Sequence, residues 1–357
     1  MKIHPVTTAV TMLCLGLIVA VQPAAAQGSD SFTVGPLTAR RGERVSGIVE
    51  VPSGVDEGTQ IPITVIHGRE EGPVLALIAG VHGYEYPPIT ALQRVRHHLD
   101  PAELSGTVVM VHVANMPSFL KRTIYYSPVD GKNLNRVYPG DPNGTVSDRI
   151  AHIITTEVIE KADYVVDLHC GDGNEALRPY TYWMLTGNDE LDEKSKNMAI
   201  VFGLDHIVID TDRPGDPDAS IYTANTALTR GIPGITTETG QMGTNDPHWV
   251  EMAEHGIWNL LYHFQMVEGE VTVRDAIVWI DHYEVVRSPM TGMFQAAVKD
   301  GYMVAEGALL GVLTDFFGDK IGEVHAPFDG VVNYVVGTPP ISEGEPVAMV
   351  SHIKPNN

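Results

Sequence analysis

The chain has 357 residues, 43% of them hydrophobic, enough to build one large domain or a large one with a small companion. Its formal net charge of −22 argues against a nucleic-acid partner, because binding phosphates needs clustered Lys and Arg. The 35 Gly and 24 Pro make it turn-rich, yet its frequent, ordered apolar runs predict a packed globule rather than a low-complexity chain.

The first 26 residues stand apart. Lys2 starts them with a positive charge, residues 8–21 are an apolar run, and Ala24, Ala25 and Ala26 offer a peptidase small side chains. This pattern reads as a cleaved secretory signal and predicts a periplasmic or secreted mature protein. The run is short for a membrane anchor, and no later segment is apolar enough to span a bilayer. Cys170 is then the one cysteine of the mature chain, so no internal disulfide is expected.

Four apolar segments, 73–80, 107–113, 163–168 and 232–237, each run into a polar loop. Continuous apolar runs bounded by Gly, Pro and Asn suit strands buried on both faces. Residues 89–99, 146–161 and 248–266 carry apolar positions at helical spacing, with Ser147 as the expected N-cap of the second. Strands alternating with helices predict an α/β domain over 27–269 with a mostly parallel or mixed sheet flanked by helices.

From about 270 to the end the pattern becomes short alternating strands broken by Gly, Pro and Asp. Residues 287–311 and 325–348 resemble each other: Pro, a turn glycine, a strand, then a Glu-Gly turn before another strand. This predicts a small all-β sandwich or barrel over 270–357, built of two similar halves. It looks like a lipoyl or biotinyl carrier, but Val331-Val332-Asn333 offers no lysine, so a structural or lid role is expected.

The chemistry gathers at the strand ends. His82 and Glu85 follow the first strand in HGYE, and His169 follows the third in DLHCG. Two histidines and a carboxylate give a catalytic zinc three ligands and leave one position open. The carboxyl ends of neighbouring parallel strands share one crevice. An isolated HxxE is common by chance; the coincidence of placement carries the reading. Glu238, after the fourth strand in TETG, reads equally as a base that takes a proton from a metal-activated water and as a helix-capping or ion-paired Glu. Asn135 and Arg136, in DGKNLNRVYPG, combine an amide with an arginine fork that suits a substrate carboxylate, but on their own they read better as a surface loop with an internal salt bridge. Asp167, two before His169, is expected on the same strand face, either orienting that ligand or at the surface. Cys170 has no evident base partner and reads as a small buried residue.

Taken in order, GVHGYE, NMPSF, DGKNLNRVYPG, DLHCG and TETG resemble the succinylglutamate desuccinylase/aspartoacylase family of zinc-carboxypeptidase-like hydrolases, over roughly residues 60–265. The β region after 270 is similar to that family's C-terminal domain. The resemblance implies one zinc on His82, Glu85 and His169, Glu238 as general base and then acid, and Asn135 with Arg136 gripping an amino-acid-like carboxylate. Some relatives carry a carbonyl-polarising arginine where Ile124 stands here. Arg122, two residues earlier, would share its face on a strand and is the expected substitute. The expected activity is hydrolysis of an N-acyl amino acid or a related carboxylate-bearing amide. Two rivals remain: a metallocarboxypeptidase or cell-wall peptide hydrolase, favoured by export, and a non-catalytic metal-stabilised binding protein, disfavoured by an intact Glu238. The oligomeric state is left open.

Overall fold

The computed structural model describes residues 30–274 and 276–355. The expected signal segment at 1–26 lies outside the described residues.

The four apolar runs form the strands Glu70–Ala79, Ser105–Val111, Tyr164–His169 and Gly234–Glu238. They pair in parallel, with Glu70–Ala79 between Ser105–Val111 and Tyr164–His169, and Gly234–Glu238 beyond Tyr164–His169. The period-2 alternation of a strand explains why the runs are apolar throughout. Leu75, Leu77 and Ala79 enter one core cluster, while Ala76 and Ile78 enter another on the opposite face. Each fully buried Leu or Ile contributes about 1.5–3 kcal/mol relative to exposure.

Helices Tyr86–His98, Asp189–Phe202 and Pro247–His263 cover the first face, and Val146–Glu157 covers the second. Pro87 and Pro88 fall in the first turn of Tyr86–His98, where a missing N–H costs nothing. The expected cap of the second predicted helix is corrected. Thr145, not Ser147, is its N-cap, and it forms a capping box with Asp148. Ser147 lies inside the first turn, with its backbone N–H and hydroxyl donated to Asp130. That helix also stops at Glu157, and a single 3-10 turn, Ile159–Lys161, finishes the predicted span.

The sheet is mixed at both sides. Thr59–His67 and Glu43–Val51 extend it antiparallel beyond Ser105–Val111. On the other side Tyr180–Met184 pairs antiparallel with Gly234–Glu238, and His206–Asp210 follows in parallel. Val278–Arg287 then pairs in parallel with His206–Asp210, so the C-terminal β part is hydrogen-bonded into the same sheet. Among the described residues this sheet has thirteen strands.

The two sequence halves of the C-terminal part interlock. Gly292–Ala296 of the first pairs with Pro340–Ile341 of the second, and Met303–Val304 with Gly330–Val336. A second sheet of four strands closes over Phe294, Leu313, Val332 and Val347. No helix among the described residues is long and apolar enough to cross a membrane.

Candidate active site

Gly80 ends its strand at φ +70°, a left-handed turn that glycine adopts without strain, and a Cβ there would meet the Val113 backbone at 2.9 Å. The chain thereby turns over the sheet end, and Glu85 arrives as N-cap of Tyr86–His98. Its carboxylate makes no capping hydrogen bond. It sits at the positive end of the helix and is free to face inward.

There it meets both histidines. Glu85 Oε1 lies 2.7 Å from His82 Nδ1, and Oε2 lies 2.9 Å from His169 Nδ1. Glu85 and His169 are each only 2% exposed. One donor atom from each of the three residues falls within 4.8 Å of the others. Glu85 Oε2 is close to His169 Nδ1 but forms no well-aligned hydrogen bond there, so this buried lone-pair donor is one that a cation would satisfy. The donor set, two imidazoles and a carboxylate, therefore fits zinc.

Asp167 is fully buried, with Oδ1 2.9 Å from His169 Nε2. The strand parity places it on the face of His169, and its burial removes the alternative of a surface role. A carboxylate at Nε2 favours the proton there and leaves Nδ1 with its lone pair toward Glu85. Asn133 Oδ1 stands 3.1 Å from His82 Nε2 and serves the other histidine similarly.

Burial alone would depress the His169 imidazolium, but Asp167 and Glu85 overcome it and raise its pKa well above the usual value. Burial would likewise raise Glu85, yet the two histidines bring it down to about 2.

Glu238 ends its strand as the ladder partner of His169. Burial first, then the neighbouring carboxylates Glu85, Glu175 and Asp167, push its carboxyl well above the ordinary range. Asn135 is buried, with its amide nitrogen 3.4 Å from His169 Nε2. Arg136 donates to the Asn135 carbonyl oxygen at 2.6 Å. His82, Glu85, His169, Glu238, Asn135 and Arg136 all line one cavity of about 770 Å³.

Arg122 is not brought to them. It is an exposed C-cap of helix Met116–Lys121 at φ 53° and does not line the cavity. The expectation assumed a strand, on which alternate residues share a face; the segment is a helix end. Cys170 is buried and unpaired, and burial drives its thiol well up, as expected of a small core residue.

Several site residues were not anticipated. Tyr125 packs edge-on to His82 with ring centres 5.9 Å apart, and its hydroxyl donates to Glu175 Oε1 at 2.7 Å. Burial lifts nearby Asp172 to about 7. Both acids follow the ligand in HCGDGNE, and their closeness to DLHCG was the available signal. Tyr222 and Arg213, which also line the cavity, carried no such signal.

Residues 71–264 match the model of the succinylglutamate desuccinylase/aspartoacylase catalytic domain. The chain is 31% identical over 319 residues to an N-alpha-acetyl-L-2,4-diaminobutyric acid deacetylase of Halomonas elongata, covering 86% of this chain and 91% of the relative. Among solved structures it is similar to a succinylglutamate desuccinylase/aspartoacylase from Rhodobacter sphaeroides, with TM-score 0.77, 28% identity and 88% and 96% of the two chains covered. It is also similar to the product-bound ectoine utilization protein EutE (DoeB) from Ruegeria pomeroyi, with TM-score 0.79, 25% identity and coverage of 91% and 99%.

Proposed function

We propose, on the premise that this chain belongs to the succinylglutamate desuccinylase/aspartoacylase family, that it is a zinc-dependent deacylase of N-acyl amino acids. Family membership makes it a hydrolase of C–N amide bonds with small acylated amino acids as the substrate type. The observation that carries the finer reading is the buried His82–Glu85–His169 cluster, backed by Asp167 and adjoined by Glu238.

His82, Glu85 and His169 would hold the zinc, which supplies positive charge that acidifies a water to a pKa of roughly 7 and polarises a carbonyl. Glu238 takes the proton of the attacking water and delivers it to the departing nitrogen. Burial and the neighbouring carboxylates raise its pKa, which strengthens the carboxylate as a proton acceptor. Asn135 and Arg136 hold the substrate carboxylate and so select which amide reaches Glu238. Arg122, exposed and away from the cavity, is given no part in carbonyl polarisation.

A second reading, a metallocarboxypeptidase or peptide hydrolase, draws support from the cavity. Its volume of about 770 Å³ lies toward the upper part of the range of roughly 300–1,000 Å³ usual for ligand pockets. The 1–26 segment supports an exported location.

The test is elemental analysis of purified protein with assays on N-acyl amino acids and short peptides, with and without chelator. About one zinc per chain and chelator-sensitive hydrolysis are expected, with the better panel separating deacylase from peptidase. Glu238→Gln is expected to keep its zinc and lose roughly 10²–10⁴ in kcat. Metal without hydrolysis of either panel would leave the binding-protein reading in its place.

A further inference from the structure

We propose that Tyr222 and Thr223 are positioning residues for the carboxylate receptor Asn135–Arg136, and that Arg213 braces them. This rests on the role given to Asn135 and Arg136 above. Tyr222 is the N-cap residue and Thr223 the first residue of helix Thr223–Thr229, so one short chain segment touches both members of the receptor.

Thr223 acts on Asn135. Its backbone N–H and its hydroxyl donate to Asn135 Oδ1 at 3.2 and 3.4 Å. A backbone N–H can meet only the oxygen end of an amide, so this contact sets the amide's orientation. The NH₂ end is left to donate toward the site.

Tyr222 acts on Arg136. The guanidinium carbon of Arg136 lies 4.5 Å from the Tyr222 ring centre. Among the described residues Arg136 forms no ion pair, and its recorded hydrogen bond goes to a neutral carbonyl. A carboxylate used to fix this arginine would neutralise it. An aromatic face attracts a cation through its quadrupole and leaves the charge unspent for a ligand.

Arg213 supplies the brace. Its guanidinium carbon lies 4.2 Å from the centre of the same ring. Unlike Arg136, it is ion-paired, to the buried carboxylate of Asp210, which also accepts from the Tyr283 hydroxyl at 3.3 Å. One ring thus bears on two arginines with different charge balance. The neutralised one anchors the ring, and the uncompensated one faces substrate.

The experiment uses zinc-loaded full-length protein and two substrates, an N-acetyl amino acid and its carboxamide, which lacks the carboxylate. Tyr222→Leu is expected to raise KM for the acid at least tenfold, with kcat within about threefold. It should leave the poorer kcat/KM for the carboxamide within about twofold. Tyr222→Phe, which keeps the ring, should restore wild-type KM. Arg213→Gln should shift KM in the same direction as Tyr222→Leu, and it stands in if that variant does not fold; zinc content and melting temperature report folding. Equal losses on both substrates, or a Tyr222→Phe defect matching Tyr222→Leu, would overturn the inference while the function stands. Wild-type protein that hydrolyses neither substrate would overturn the function on which it rests.

Discussion

Asp167→Asn tests the metal site through a residue that does not itself enter the ligand set. The wild-type carboxylate is fully buried, 2.9 Å from His169 Nε2, and neither oxygen has a hydrogen-bond partner elsewhere. The substitution keeps the shape and removes the charge. An asparagine amide that turns its NH₂ toward Nε2 also selects the wrong tautomer, with the proton on Nδ1, the nitrogen facing Glu85. Loss of such an outer partner costs about 10–100-fold in metal affinity, or about 1.4–2.7 kcal/mol. The assay is competition for zinc against a chromophoric chelator at pH 7.5, with melting temperature as a control for folding. A Kd within twofold of wild type, in a folded variant, would refute the claim that Asp167 orients His169 for a metal.

Two further outcomes are expected. Arg122→Ala should leave kcat/KM within about twofold, because the side chain is exposed and away from the cavity; a loss of roughly 10²–10³, the scale of a missing oxyanion donor, would return it to the mechanism. His112, whose Nε2 is 2.8 Å from the Thr64 hydroxyl, is brought down to about 4 by burial and by Arg96. Its folded pKa lies below the unfolded value of about 6.5, so the unfolded chain binds the extra proton. Up to about 3 kcal/mol of stability present above pH 6.5 should be lost as pH falls toward 4. Urea unfolding from pH 7 to 4.5 should show a shallower decline for His112→Gln, and parallel curves would exclude the histidine as the cause.

Much of the architecture was legible in the chain because burial leaves a mark on composition. A strand covered on both faces must be apolar at every position, and Val74–Ala79 and Val108–Val111 are. The repeat between 287–311 and 325–348 announced two like halves, and the ladders that interlock them followed. The candidate ligand cluster was legible because metal chemistry permits few donor types and parallel strands end at one edge. Those two constraints singled out His82, Glu85 and His169 as candidates, and the ordered resemblance of five motifs to one family was needed to add weight to them and to Glu238.

What tertiary structure alone decided is whatever depends on distant segments meeting. Arg122 and Ile124 are two apart in sequence, but the left-handed turn at Arg122 ends a helix there, so strand periodicity did not apply. Tyr222 and Arg213 lie far along the chain from Arg136, in a loop and at a helix start whose local sequence has no periodic signal. The sheet continuing from His206–Asp210 into Val278–Arg287 was equally silent, because a strand's own residues specify that it pairs and not with which partner. Residue types and periods thus determined the elements and the candidate metal-ligand set, while three-dimensional packing chose which side chains surround Asn135 and Arg136.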